Sequence, residues 1–181
     1  RRGQRALEYR RLSAEGICPG LFRHFVRRQQ VTRCWCRENG EWRVKDTPFL
    51  DDWTPEDYET LARCLKNTCG AGGFVCAAFC EGALKGFASV EAGLFGGGGR
   101  YLELSSLHVS QELRGQGVGK KLLHAAVQWA RGQGAKRLYI SAHPAVESQA
   151  FYRAMGCTPA QVCRPAHAGR GPAGRPLELL L

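Results

Sequence analysis

Residues 113–121 read Leu-Arg-Gly-Gln-Gly-Val-Gly-Lys-Lys and have the composition of an anion-binding turn. Glycines at alternate positions, Gly115, Gly117 and Gly119, allow a tight turn and leave the backbone N–H groups uncovered by side chains. An amphipathic helix is predicted to begin at Val118, and the first amides of a helix have no partner inside it. These amides and the positive end of the helix dipole favour a phosphate group.

Two familiar glycine-rich loops do not fit this stretch. A Walker phosphate loop, G-x-x-x-x-G-K-[S/T], would need glycine at Arg114 and a hydroxyl residue at Lys121. A dinucleotide loop, G-x-G-x-x-G, that began at Gly115 would need glycine at Lys120, and the acidic residue expected about 20 positions later is missing. A plain glycine-rich turn between a strand and a helix is the remaining alternative, and the flanking sequence argues against it.

The flanks are residues 107–119, Leu-His-Val-Ser-Gln-Glu-Leu-Arg-Gly-Gln-Gly-Val-Gly, and residues 150–157, Ala-Phe-Tyr-Arg-Ala-Met-Gly-Cys. Together they resemble the GCN5-related N-acetyltransferase (GNAT) superfamily, whose cofactor motif runs R/Q-x-x-G-x-G/A after the fourth strand. The resemblance is dense over residues 84–157. It implies that the loop amides hold the pyrophosphate of acetyl-CoA, and it leaves the acceptor unnamed.

The resemblance also implies which residues hold the cofactor. They are Leu107, His108, Val109, Arg114, Gly115, Gln116, Gly117, Val118, Gly119, Lys120, Ser148 and Tyr152. The sequence departs from the superfamily at two positions. Ala145 stands where an asparagine often precedes the tyrosine by seven residues, and Ser148 stands where alanine is usual.

Acetyl transfer from a thioester to an amine needs a base for the amine, stabilisation of the carbonyl oxygen and protonation of the departing sulfur. Tyr152 matches the superfamily pattern F/L-Y-x-x-x-G, which implies that its hydroxyl protonates the sulfur. The alternative is that Tyr152 is an ordinary core residue of an amphipathic helix. Backbone amides near Leu107 to Val109 are the expected donors to the carbonyl oxygen.

The spacing of apolar residues in the strand 101–109 predicts a β-bulge. Apolar side chains fall at 102 and 104 and then at 107 and 109, so the alternation slips by one residue. One extra residue near Ser105 and Ser106 restores both patterns. In the superfamily, a bulge at this place helps to splay the fourth and fifth strands, and the pantetheine arm lies in the gap.

Glu103 and Glu91 are the candidate general bases. Each would project from a strand beside the bulge, where partial burial can raise the pKa of a carboxylate towards neutrality. Glu103 has the better position because its parity matches Tyr101 and Ser105, opposite the apolar pair at 102 and 104. The alternative for both is an exposed strand residue that meets lysines.

Composition limits the class of protein. With 181 residues, 44% hydrophobic and 23% charged, the chain is predicted to be one globular domain spanning residues 1–181. Without an apolar run of about 18 residues, it is expected to be cytoplasmic and not membrane-bound. The nine cysteines are scattered, and Cys34-x-Cys36 is too short for a zinc knuckle, so no metal is expected.

The net charge of +10 is dispersed, without long basic runs, so no nucleic-acid partner is expected. The predicted function is N-acetylation of a primary amine, on a small molecule, in a ternary complex with acetyl-CoA. Asp51 and Asp52 could attract a cationic acceptor. The alternatives are a protein lysine or N-terminus as acceptor, and a non-catalytic acyl-CoA sensor. A homodimer is left open.

The predicted fold is α/β (α+β), of the acyl-CoA N-acyltransferase type, with a central mixed, twisted sheet that is splayed between the fourth and fifth strands and flanked by helices. Residues 28–50, with a hairpin turn at Asn39-Gly40, are a candidate insertion on the acceptor side. The predicted strands are 7–12, 74–80, 84–91, 101–109, 137–143 and 177–181. The predicted helices are 21–28, 54–67, one from Val118 to about Gly132, and one from Pro144 to Gly156.

Overall fold

The computed structural model describes residues 6–98, 100–162 and 174–181. Its strands are β1 (Leu7–Arg11), β2 (Arg28–Glu38), β3 (Glu41–Asp52), β4 (Phe74–Cys80), β5 (Ala83–Val90), β6 (Tyr101–Val109), β7 (Arg137–Ala142), β8 (Thr158–Pro159) and β9 (Arg175–Leu180). Its α-helices are α1 (Pro55–Gly70), α2 (Val118–Gly132) and α3 (Val146–Ala154). The predicted mixed α/β fold is confirmed.

One mixed sheet forms the centre of the protein, in the strand order β1-β4-β5-β6-β7-β9-β8. Side chains alternate between its two faces, as strand geometry requires. Leu102, Leu104 and Ile140 pack beneath α2 and α3, whereas Val75 and Phe87 face α1 on the other side. The helices therefore cover both faces of the sheet.

Helix α1 begins as its sequence predicts. The Thr54 side chain accepts the N–H of Asp57, and the Asp57 carboxylate accepts the N–H of Thr54, which completes a capping box. Pro55 occupies the first turn, where its missing N–H costs nothing.

The bulge in β6 lies where the alternation of apolar residues predicts it. Val90 of β5 is opposite Leu104, while Ser89 is opposite Ser106, so Ser105 is the extra residue. β6 pairs with the parallel β7 only from Tyr101 to Leu104. Beyond that point the two strands separate, and the splayed sheet is confirmed.

β2 and β3 form a long hairpin outside the main sheet. Asn39 and Gly40 both have positive φ (49° and 82°), as a type I′ turn requires, so the predicted turn is confirmed. The hairpin is attached to the chain after β7, because Cys34 forms a β-bridge with Ala145 and the Trp35 N–H donates to the Pro144 carbonyl at 2.8 Å.

Two predicted helices need correction. The helix at 21–28 is wrong: Pro19–Phe22 form a short 3₁₀ turn, and β2 begins at Arg28. The apolar residues whose spacing indicated a helix pack on the sheet instead. The ring centroids of Phe22 and Phe25 lie 5.5 and 5.4 Å from that of Phe87. The helix predicted from Pro144 begins at Val146. The glycine- and proline-rich stretch 164–176 also predicts a turn-rich tail, and most of that stretch lies outside the described residues.

Candidate active site

A cleft of about 940 Å³ opens where β6 and β7 separate. The residues 104–109 of β6 and 140–144 at the end of β7 form its walls, and the first turn of α2 lies at one end. Further lining residues are Arg27, Arg28, Gln29, Gln30, Gln111, Leu113, Arg114, Gly115, Gly117, Val118, Gly119, Lys120, Glu147, Ser148, Phe151, Tyr152 and Gly174. The cleft therefore brings together most of the residues that the sequence assigns to the cofactor.

The loop before α2 has the backbone that its glycines predict. Gly115 and Gly117 have φ of +77° and +82°, a left-handed conformation that other residues rarely adopt. The Lys121 N–H makes the first bond of the helix, to the Gly117 carbonyl, so the amides before it have no place in the helical ladder. A Cβ added at Gly115 or Gly117 would meet nothing within 4 Å, so the space above the loop is open.

Arg114 shapes this loop through backbone contacts. Its Nε donates to the Val109 carbonyl at 3.3 Å, and its Nη1 donates to the Arg28 carbonyl at 2.9 Å. These two bonds join the loop to the end of β6 and to the start of the hairpin. The Gln116 side chain, also assigned to the cofactor, is exposed and donates to the Glu112 carbonyl at 3.4 Å.

Tyr152 is a buried residue of α3 that lines the cleft. Burial raises the pKa of its hydroxyl, and the nearby Cys157 thiol adds to the effect. The hydroxyl consequently carries its proton at neutral pH. The Phe151 ring packs edge-on against Tyr152, with 5.1 Å between centroids, and holds it in place.

The two candidate bases lie in different surroundings. Glu103 is buried in β6, 6% exposed, one residue before the run that lines the cleft. Glu91 is half-buried at the end of β5, and its Oε1 accepts hydrogen bonds from Thr68 of α1 at 2.8 Å and from Ser105 at 2.7 Å. Glu91 is thus joined by a hydrogen bond to Ser105, a side chain of the cleft wall.

A charged cluster that the sequence did not reveal borders the cleft. Arg27, 5% exposed, donates from Nη2 to Asp51 at 3.1 Å and from Nε to His108 Nδ1 at 3.3 Å. Asp51 also accepts from His143. The pKa of Asp51 is held below its usual value, first by the hydrogen bond from His143 and then by the charge of Arg27.

His108 is neutral in this cluster. Burial and the charge of Arg27 lower its pKa to about 3. Its imidazole lies 4.8 Å from the Trp53 ring and 5.4 Å from the Phe87 ring. His108, predicted to lie beside the cofactor, lies in the structure against Arg27 and Trp53.

Other chemistry finds little support in this part of the chain. Burial raises the pKa of the Cys157 thiol to about 12, which argues against a thiolate nucleophile. Within residues 6–98, 100–162 and 174–181, there is no group of three or more side chains suited to hold a metal ion. Over those same residues, no helix is both long and apolar enough to cross a membrane.

Solved structures share this fold. Nourseothricin acetyltransferase aligns with a TM-score of 0.72 at 19% identity, over 97% of this chain and 98% of that one. A Bacillus anthracis protein assigned as a streptothricin acetyltransferase, in complex with acetyl coenzyme A, aligns with a TM-score of 0.70 at 16% identity, over 97% and 100%. PaiA N-acetyltransferase from Thermoplasma acidophilum, in complex with coenzyme A, gives 0.60 at 15% identity, over 97% and 99%.

A comparison with curated protein sequences found no match. A family model described as the Acetyltransferase (GNAT) family matches residues 35–157, which is more than half of the 181 residues. The match includes the glycine loop, the bulged strand and Tyr152. The chain therefore belongs to the GNAT family of acetyltransferases.

Proposed function

We propose that this enzyme transfers the acetyl group of acetyl-CoA to a primary amine of a small molecule, by direct attack within a ternary complex. The observation that carries the proposal is the continuity of one cleft. It runs from the open amides at the start of α2, along the gap between β6 and β7, to the buried hydroxyl of Tyr152 and the serines of the bulge.

The cofactor end of the cleft fits acetyl-CoA. Gly115 and Gly117 leave open space above a loop whose amides make no bond in the helical ladder, which suits a pyrophosphate. Cationic side chains outnumber acids along the cleft, with Arg27, Arg28, Arg114 and Lys120 against Glu147. This balance draws in an anionic co-substrate.

The gap between the strands supplies the groups for the chemistry. Because β6 has no β7 partner beyond Leu104, the backbone amides near Leu107 to Val109 that face the gap, and not β5, are available to the carbonyl oxygen as it gains charge. Tyr152 lines the cleft and carries a proton on its hydroxyl at neutral pH, and it would give this proton to the departing sulfur. Glu91 and Glu103 are the carboxylates nearest to the bulge and would receive the proton of the amine.

The hairpin favours a small acceptor over a protein. It borders the cleft through Arg28, Gln29 and Gln30, and it is tied down at Asp51 and at Pro144. A hairpin fixed beside the gap restricts the space that an extended protein chain would need. Two of the similar structures carry the names of enzymes that acetylate antibiotics, which supports an acceptor of this size.

The test is release of free thiol from acetyl-CoA with a panel of acceptors. The panel contains streptothricin, a linear diamine, an aromatic ethylamine, lysine-containing peptides and peptides with a free N-terminus. Turnover with a small amine and none with the peptides is expected. Turnover with the peptides alone would make the enzyme a protein acetyltransferase, and binding of coenzyme A without any turnover would indicate a sensor.

A further inference from the structure

The bulge of β6 places three serine hydroxyls in contact with one another. Ser89 of β5 shares a hydrogen bond with Ser105, with 2.7 Å between the Oγ atoms, and a second, short one with Ser106. Ser105 in turn donates to Glu91 Oε1 at 2.7 Å. The extra residue of the bulge is what lets two consecutive β6 hydroxyls reach the same serine of β5.

The direction of these hydrogen bonds follows from the charge of Glu91. An ionised carboxylate only accepts, so Ser105 donates its one proton to Glu91. Ser105 must then accept from Ser89, and Ser89 must accept from Ser106. The competing contact, from Ser105 to the Ser89 carbonyl, is longer at 3.3 Å. Every hydroxyl in the chain is therefore oriented towards Glu91.

The two ends of the chain lie in the right places for proton transfer. Ser106, the first hydroxyl of the chain, lines the cleft, and so does Ser105. Ser89, between them, is 1% exposed and is screened from water. Glu91 is half-buried and lies outside the cleft lining, where it can release a proton to solvent. Thr68 of α1 holds the carboxylate from the other side.

We propose that Ser106, Ser89 and Ser105 form a proton relay that carries the proton of the acceptor amine to Glu91. The relay rests on the proposed function. As the amine nitrogen attacks, its N–H bond breaks and the proton binds Ser106 Oγ. The Ser106 proton passes to Ser89, the Ser89 proton to Ser105 and the Ser105 proton to the Glu91 carboxylate. One proton has then moved from nitrogen to carboxylate, and each serine has regained its hydroxyl.

Glu103 is the rival terminus for the proton. Its backbone carbonyl accepts the Glu91 N–H at 2.9 Å, and Cys69 of α1 is a further titratable neighbour of Glu91. The relay predicts that Glu91→Gln abolishes the base-dependent limb of the pH–rate profile, whereas Glu103→Gln keeps it. The reverse result would overturn the relay.

The experiment measures kcat for thiol release with saturating acetyl-CoA and the small amine of the panel that the wild-type enzyme turns over fastest. Ser105→Ala, Ser89→Ala and Glu91→Gln should each lower kcat by about 10²-fold, the usual worth of a general base. Ser105→Thr keeps a hydroxyl and should keep most of the rate. The double variant Ser105→Ala/Glu91→Gln should be no slower than either single one, since both break one path.

The relay would be overturned if the fold-losses in kcat of the two single variants multiply in the double variant, or if Ser89→Ala has the wild-type kcat. Calorimetry with coenzyme A checks that each variant is folded, and Ser13→Ala, an exposed serine far along the chain from the relay, is the matched control. If Ser105→Ala does not fold, the nearly isosteric Glu91→Gln and the Ser105→Thr variant decide the question. If the wild-type enzyme acetylates amines and Glu91→Gln has the same rate, the relay is refuted and the proposed function stands. A wild-type enzyme that turns over nothing refutes the proposed function as well.

Discussion

His143 Nε2 lies 3.3 Å from Asp51 Oδ2, and this contact joins the end of β7 to the end of the hairpin strand β3. The other ring nitrogen, Nδ1, accepts the N–H of Ala145 at 3.1 Å, so Nε2 carries the proton and donates it to Asp51. Both nitrogens are therefore occupied. His143 fastens the hairpin beside the cleft and is not free to act as a base.

Asp51→Asn tests this attachment. Asp51 keeps Arg27 neutralised, and breaking a buried ion pair leaves an uncompensated charge. Since Asp51 is 26% exposed, we expect a loss of about 2–3 kcal/mol in the free energy of unfolding, just below the range for a fully buried pair. Urea denaturation at pH 7 measures it. An unchanged midpoint would show that the contact does not stabilise the hairpin.

The same contact predicts a pH dependence. A carboxyl group whose pKa is lowered in the folded state stabilises the protein above its ordinary pKa of 3.8, and this stabilisation is lost as the pH falls through the folded value. The difference in melting temperature between wild type and Asp51→Asn should therefore be full at pH 5 and above. It should shrink as the pH is lowered below 3.8. A constant difference would contradict the lowered pKa.

His108 predicts acid sensitivity at a higher pH. Its pKa falls from 6.5 to about 3 on folding, so between these values the unfolded chain binds a proton that the folded one does not. Stability must then decrease as the pH falls from 6.5, by at most about 1.4 kcal/mol per pH unit. His108→Asn keeps an acceptor for Arg27 and cannot titrate. Its unfolding free energy, measured in urea from pH 7 to pH 4, should fall less steeply than that of wild type. Parallel curves would refute the shift.

Gly117→Asp tests the anion-binding loop. Gly117 is the N-cap of α2 with φ of +82°, and an added carboxylate would occupy the open space proposed for the pyrophosphate. Calorimetry should detect no heat with coenzyme A. Gly134→Asp is the matched control, because Gly134 has φ of +85°, has equally open space and follows the other end of α2. Coenzyme A should still bind this variant, and equal loss in both would point to backbone strain alone.

The features that depend on a few neighbouring residues were predicted from the sequence. The slip between the pair 102 and 104 and the pair 107 and 109 located the bulge near Ser105 and Ser106, because each face of a strand accepts only one parity. Asn39-Gly40 located the hairpin turn, because both residues tolerate positive φ. The loop proposed to hold the cofactor was predicted from its glycines and from its resemblance to a known superfamily.

Contacts between distant segments were not predictable in this way. Asp51 follows Arg27 by 24 positions and His143 follows Asp51 by 92 positions, so no local pattern in the sequence relates the three. The relay hydroxyls of Ser89 and Ser105 likewise belong to different strands, and their contact depends on the register across the bulge. The helix expected at 21–28 failed because packing of Phe22 and Phe25 on Phe87 satisfied the same apolar spacing without a helix.

Tyr152→Phe tests the proposed acid. Removing the hydroxyl should lower kcat by about 10²-fold, because the sulfur then leaves without a proton donor. The KM for acetyl-CoA should not change, since the ring still packs on Phe151 and fills the same space. Because the pKa of the Tyr152 hydroxyl is raised above its ordinary value of about 10, the hydroxyl stays protonated up to about pH 10. The wild-type rate should therefore not decline through loss of this proton below that pH.

The control for this change is Tyr9→Phe. The buried Tyr9 hydroxyl has no hydrogen-bond partner among the described residues and lies on β1, at the edge of the sheet away from the cleft. Its removal should leave kcat as it is. If Tyr152→Phe also turned over at the wild-type rate, the sulfur would have to depart as a thiolate, stabilised by the open amides of the gap. Tyr152 would then serve only to pack α3 against the sheet.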